Sequence, residues 1–79
     1  MPRKVLVIED EALIAMELEE AVRIAGAEAE VASHIEDALS KIHDGRFDAA
    51  ILDVNLGGKR SDELAAALRA TNIFSPAMW

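Results

Sequence analysis

Two apolar runs in this chain each end on acid. Val5-Leu6-Val7-Ile8 passes directly into Glu9-Asp10-Glu11, and Ala49-Ala50-Ile51-Leu52 into Asp53. Short apolar runs followed by helical patterns read as strands buried on both faces of a parallel sheet. Parallel neighbours bring their carboxyl ends to one edge, where open α/β sheets bind ligands. The sequence therefore predicts that Glu9, Asp10 and Asp53 converge. Carboxylates held that close repel one another unless a cation joins them, and hard oxygen donors of this kind suit Mg²⁺.

The chain repeats the strand–helix unit three times, which predicts an α/β fold with three parallel strands and three helices. Strands are expected over 4–8, 28–32 and 48–52. The first helix is expected over 11–25, with Ile14, Leu18, Ala21, Val22 and Ala25 as its buried stripe and Met16 also in the core. Glu17, Glu20 and Arg23 fall outside that stripe, Glu19 and Arg23 form an i,i+4 pair, and Gly26 is placed to end the helix. The alternation Glu28-Ala29-Glu30-Val31 marks the second strand as a half-exposed edge. Ser33-His34-Ile35-Glu36 has the form of a capping box opening the second helix. Its apolar stripe is Ile35, Ala38, Leu39 and Ile42, and Gly45 closes it. After a loop over 55–60, Ser61 is the expected N-cap of the third helix, with Asp62 and Glu63 in its first turn and Leu64, Ala65 and Leu68 facing inward.

Composition narrows the classes of function. At 79 residues the chain is a single domain of the size at which a hydrophobic core is marginal. Fifteen acidic against eight basic residues give a net charge of −7, which argues against a nucleic-acid partner, since that needs a basic face. With no cysteine, disulfides and thiolate metal sites are excluded. No apolar run approaches the roughly 20 residues of a membrane span, and no signal-peptide pattern precedes Glu9. The expected setting is cytoplasmic, with protein partners and no membrane. His34 and His43 lack ligand spacing and read as surface histidines. Gly57-Gly58 reads as loop, and Lys59-Arg60 as a solvated turn.

The stretch Val5-Leu6-Val7-Ile8-Glu9-Asp10-Glu11, with Asp48-Ala49-Ala50-Ile51-Leu52-Asp53-Val54-Asn55-Leu56-Gly57-Gly58, resembles the receiver domain of bacterial two-component response regulators. An acidic pair after the first strand and a single Asp after the third are that family's signature. The resemblance implies an incomplete flavodoxin-like receiver fold, with its three-stranded parallel sheet in the order 2-1-3. It also implies transfer of a phosphoryl group from a phosphohistidine on a sensor histidine kinase to Asp53, a phosphoacceptor rather than an enzyme active site. Mg²⁺ would be held by Asp10, Asp53 and the backbone carbonyl of Asn55, with Glu9 the second member of the acidic pair, acting directly or through water.

The family has five strand–helix units. Here residues 1–70 are read as three of them, and residues 71–79 as an apolar tail outside the family pattern. The family's fourth strand ends in Ser or Thr and its fifth in Lys. Lys59 lies in the wrong loop for that Lys, and Ser75 has no apolar strand before it. Three carboxylates at about 4 Å with no fixed cation repel pairwise by roughly 4 kcal/mol at an effective dielectric near 20. The expectation is weak Mg²⁺ binding, impaired phosphoryl transfer, and a surface that still binds a kinase or another receiver domain. Bare apolar surface on the third strand adds the expectation of a homodimer. One alternative is an active phosphoacceptor completed by that dimer. A weaker one is a small Mg²⁺-dependent phosphohydrolase, for which Asp53-Val54-Asn55 lacks the second acid of an Asp-x-Asp motif.

Overall fold

The computed structural model describes residues 3–44, 46–52 and 59–70, with side chains in the last segment at positions 63, 64 and 66–70. Among these the chain alternates strand and helix: β1 (Lys4–Ile8), α1 (Ala12–Ile24), β2 (Glu28–Ala32), α2 (Ile35–Asp44), β3 (Ala49–Leu52) and α3 (Lys59–Ala70). The sheet is parallel, in the order β2-β1-β3. Val5 pairs with Ala29 and Ala49, Leu6 with Glu30 and Ala50, and Ile8 with Ala32 and Leu52. This is the incomplete receiver architecture that the resemblance implies. β1 is central, which is why Leu6, Val7 and Ile8 are all fully buried although they alternate between faces.

The two faces are covered unequally. Leu6, Ile8, Ala32 and Ala50 share one face and join Ile35, Ala38 and Ile42 of α2, Phe47, and Leu64 and Leu68 of α3 in a single cluster. Leu39 packs against it, so the whole predicted stripe of α2 is confirmed. Phe47, which no apolar period singles out, is a core residue. Lys4 Nζ lies 5.5 Å from the centre of its ring.

α1 covers the opposite face, chiefly over β1 and β2. Its buried residues are Ala15 and Val22, with Ile14 and Leu18 half-buried. Ala21 and Ala25, expected inside, are exposed. The reason is tilt: a helix leaning toward β2 buries the flank carrying Ala15 and leaves open the flank carrying Ala21. Met16, expected in the core, is 62% exposed. It lies roughly 120° round the helix from Val22 at about 100° per residue.

Helix ends follow local chemistry. α1 stops in a Schellman motif: the Ala27 N–H donates to Val22 O (3.1 Å) and the Gly26 N–H to Arg23 O (2.9 Å). Gly26 takes φ +92° as the motif requires. The predicted Glu19–Arg23 pair is present at 2.9 Å. α2 is capped one residue later than the capping box implies. His34 is its N-cap, its carbonyl accepting from Ala38 N (3.0 Å) and its Nδ1 from Asp37 N (3.4 Å). A neutral imidazole offers the same kind of acceptor as a hydroxyl.

β3 begins at Ala49, because Asp48 is occupied in holding the sheet's entry. Its N–H donates to Lys4 O and its Oδ2 accepts from Lys4 N, both at 2.8 Å. α3 starts at Lys59, so Lys59-Arg60 is helical rather than a turn, and Ser61 lies inside the helix rather than at its cap. Lys and Arg propagate a helix better than Ser, and the first turn tolerates them. Gly45 and the side chain of Ala65 lie outside the described residues.

Candidate functional site

The register places Ile8, Ala32 and Leu52 level with one another at the carboxyl edge of the sheet. Glu9 extends β1 by one further bond, its N–H donating to Ala32 O at 3.1 Å. Of the residues expected at the site, Glu9 and Asp10 are described, and Asp53 and Asn55 lie outside the described residues. The two adjacent acids differ sharply in setting. Glu9 is 4% exposed, the one buried charged side chain among the described residues, while Asp10 is open to solvent.

Burying a carboxylate is costly unless hydrogen bonds satisfy it. Glu9 Oε1 accepts the Glu11 N–H at 3.1 Å. Glu11 is the N-cap of α1 with extended backbone, φ −97° and ψ 120°. The turn from strand to helix is thus tied by the side chain that precedes it.

A cavity of about 310 Å³ opens beside this turn, lined by Glu9, Asp10, Ala12, Ala15, Met16, Glu19, Val31 and Ser33. Ser33 and Glu19 were legible in the sequence only as a helix cap and an ion-pair partner. Their share in the cavity depends on how α1 leans toward β2, which no local pattern encodes. Glu9 and Asp10 bring hard oxygen donors to its mouth, a chemistry that fits a divalent cation such as Mg²⁺. Among the described residues no three His, Asp or Glu side chains are grouped to hold a metal ion. The acidic set read from the sequence takes its third carboxylate from Asp53.

A second surface feature lies on α1. Leu13, Met16 and Ile24, 77%, 62% and 81% exposed, are the large exposed hydrophobic residues among those described. Glu17, Glu20 and Arg23 stand beside them. On the far face of the sheet, Lys41 Nζ bonds Asp37 Oδ1 (2.8 Å) and approaches Glu30 (3.7 Å), which Lys4 also approaches (3.8 Å). None of the described helices is long and apolar enough to cross a membrane.

Comparison with known proteins agrees with this architecture. SdrG of Sphingomonas melonis Fr1, solved in solution, is 39% identical with a TM-score of 0.78, over 94% of this chain and 64% of its own. The response regulator protein TrrA of Thermotoga maritima, crystallised in complex with Mg²⁺-BeF, is 34% identical with a TM-score of 0.76. The match covers 86% of this chain and 59% of TrrA. TrrA in complex with the histidine kinase ThkA matches at the same identity and coverage, with a TM-score of 0.74. The chain thus spans about three fifths of the length of these neighbours. No curated protein matches it at a significant level. The family model for the response regulator receiver domain matches residues 5–78. With a parallel β2-β1-β3 sheet and an acidic turn after its central strand, this chain belongs to the response regulator receiver domain family.

Proposed function

We propose that this chain is a receiver segment of a two-component phosphorelay that docks a sensor histidine kinase or another receiver domain, with Asp53 as phosphoacceptor and transfer to it impaired. The observation that carries the reading is the acidic turn at the carboxyl end of the central strand, with Glu9 buried and Asp10 open beside it. TrrA, which is similar, was solved both with Mg²⁺-BeF and with a histidine kinase. The apolar stripe Leu13, Met16 and Ile24 offers area for a protein partner to cover.

In the proposed transfer an Asp53 carboxylate oxygen bonds to phosphorus as the P–N bond of the phosphohistidine breaks. The bonding pair leaves with the imidazole, and an aspartyl phosphate results. Such a reaction needs positioning and charge neutralisation more than covalent help. Asp10, Asp53 and the Asn55 carbonyl would hold Mg²⁺, with Glu9 beside them. When bound, the ion would neutralise the phosphoryl oxygens. Asp10, exposed at the sheet edge, contributes charge where the cation enters. Within these 79 residues no Lys or hydroxyl residue follows an apolar strand beyond Asp53. On this reading these 79 residues supply neither the family's Lys nor its Ser or Thr to the phosphoryl group, and we place their Mg²⁺ affinity low.

Acetyl phosphate labelling with Mg²⁺ tests this. Slow labelling that vanishes in Asp53→Asn is expected. Rapid stoichiometric labelling would show that transfer is unimpaired, and labelling that persists in Asp53→Asn would remove Asp53 from the role.

One observation favours a second reading, an active phosphoacceptor completed by a homodimer. β2 guards its edge with Glu28 and Glu30, whereas β3, at the other edge of the described sheet, is the uncharged Ala49–Leu52. An edge without charge or proline is a pairing template.

A further inference from the structure

We propose that Glu9 is a positioning residue, which fixes the β1–α1 turn so that Asp10 is presented at the sheet edge. Three observations carry this. Glu9 is nearly fully buried while Asp10, the next residue, is exposed. The Glu9 backbone is pinned to β2 through Ala32 O. Its side chain reaches forward over Asp10 to accept the Glu11 N–H at 3.1 Å.

A carboxylate of residue i bonded to the N–H of residue i+2 closes a ring around the residue between them. Here that ring encloses Asp10 and narrows its backbone freedom. Glu11, the N-cap of α1, makes no capping bond with its own side chain, so the forward reach of Glu9 takes over the task of ordering the helix entry. A charge-assisted bond of this kind is stronger than a neutral one. The length of the side chain matters, since Asp at position 9 is one methylene shorter. Glu9 then acts on a bound cation through Asp10 and through its own field, while Asp10 makes the direct contact.

Two measurements on the full chain test this, and only the second rests on the metal reading of the site. The first is amide hydrogen exchange at Glu11 in metal-free protein. Exchange should rise roughly fivefold in Glu9→Ala, the worth of one hydrogen bond, and stay near wild type in Glu9→Gln, which keeps an acceptor oxygen. Unchanged exchange in Glu9→Ala would overturn the proposal. The second is Mg²⁺ titration followed by calorimetry and by the same amide. Glu9→Gln should weaken binding by about tenfold, as supporting residues around a metal do, Asp10→Asn should abolish it, and the Glu11 amide should stay protected with Mg²⁺ bound. Loss of that protection on adding Mg²⁺, or loss of binding in Glu9→Gln as complete as in Asp10→Asn, would make Glu9 a direct ligand and overturn the proposal. Wild-type protein that takes up no Mg²⁺ counts against the proposed function, and the metal-free amide measurement then decides the role of Glu9 alone.

Discussion

Lys41 shows how a single side chain ties two elements together. Its ammonium donates to Asp37 within α2 and faces Glu30 on β2, and Glu30 also faces Lys4 on β1. The hydrogen bond to Asp37 is the largest cause, and with the fields of Asp37 and Glu30 it outweighs desolvation and raises the Lys41 pKa above its ordinary 10.5. A raised folded-state value means that folding favours the charged form. The stabilisation is complete below pH 10.5 and fades as the pH climbs through the higher folded value. Lys41→Met keeps the aliphatic stem and removes the charge. Urea melts should show it less stable at neutral pH by no more than about 1 kcal/mol, since the ion pairs are partly exposed and screened by solvent. The gap to wild type should close in strongly alkaline buffer. A gap that stays constant with pH would mean that Lys41 contributes by packing.

Elements end where backbone chemistry ends them. Gly26 holds φ +92°, and a Cβ added there would meet no atom within 4 Å, so the cost of substitution is purely conformational. Gly26→Ala should destabilise the fold by about 1–2 kcal/mol, the price of a side chain in left-handed backbone. A chemical melt with unchanged midpoint would contradict the Schellman assignment. On the covered face of the sheet, Ile42 of α2 is fully buried in contact with the main cluster. Ile42→Ala removes that contact and leaves a void, which costs about 2–5 kcal/mol. In a chain this small that is a large share of total stability. The expected outcome is loss of cooperative thermal unfolding, and a melt within a degree of wild type would show that the cluster is looser than described.

At the scale of the molecule, the described residues cover the sheet fully on one side and only in part on the other. α2 and α3 seal one face, whereas α1 leans toward β2 and leaves Val5, Ala49 and Ile51 half-exposed on its own face, next to the uncharged edge of β3. The proposed homodimer would cover that region in a symmetric interface. Sedimentation at micromolar concentration should find a dimer that Ile51→Lys dissociates. A compact, stable monomer would exclude the dimer and with it the reading of an active site completed in trans.

The periods of apolar residues determined the number of elements and their succession along the chain, because side-chain burial alternates every second residue in a strand and recurs at about 3.6 in a helix. They also determined that Glu9 and Asp10 stand together where β1 ends. Tertiary structure alone decided which of the two is buried, since that depends on Ala32 accepting from Glu9 N and on the turn closing over Asp10. It decided the flank of α1 that faces inward, burying Ala15 instead of Ala21, because a helix can roll on a sheet at little local cost. It moved the α2 cap from Ser33 to His34 and drew Phe47 into the core. For the acidic pair and for the α1 flank, two positions satisfied the local pattern equally well, and packing against another element selected between them.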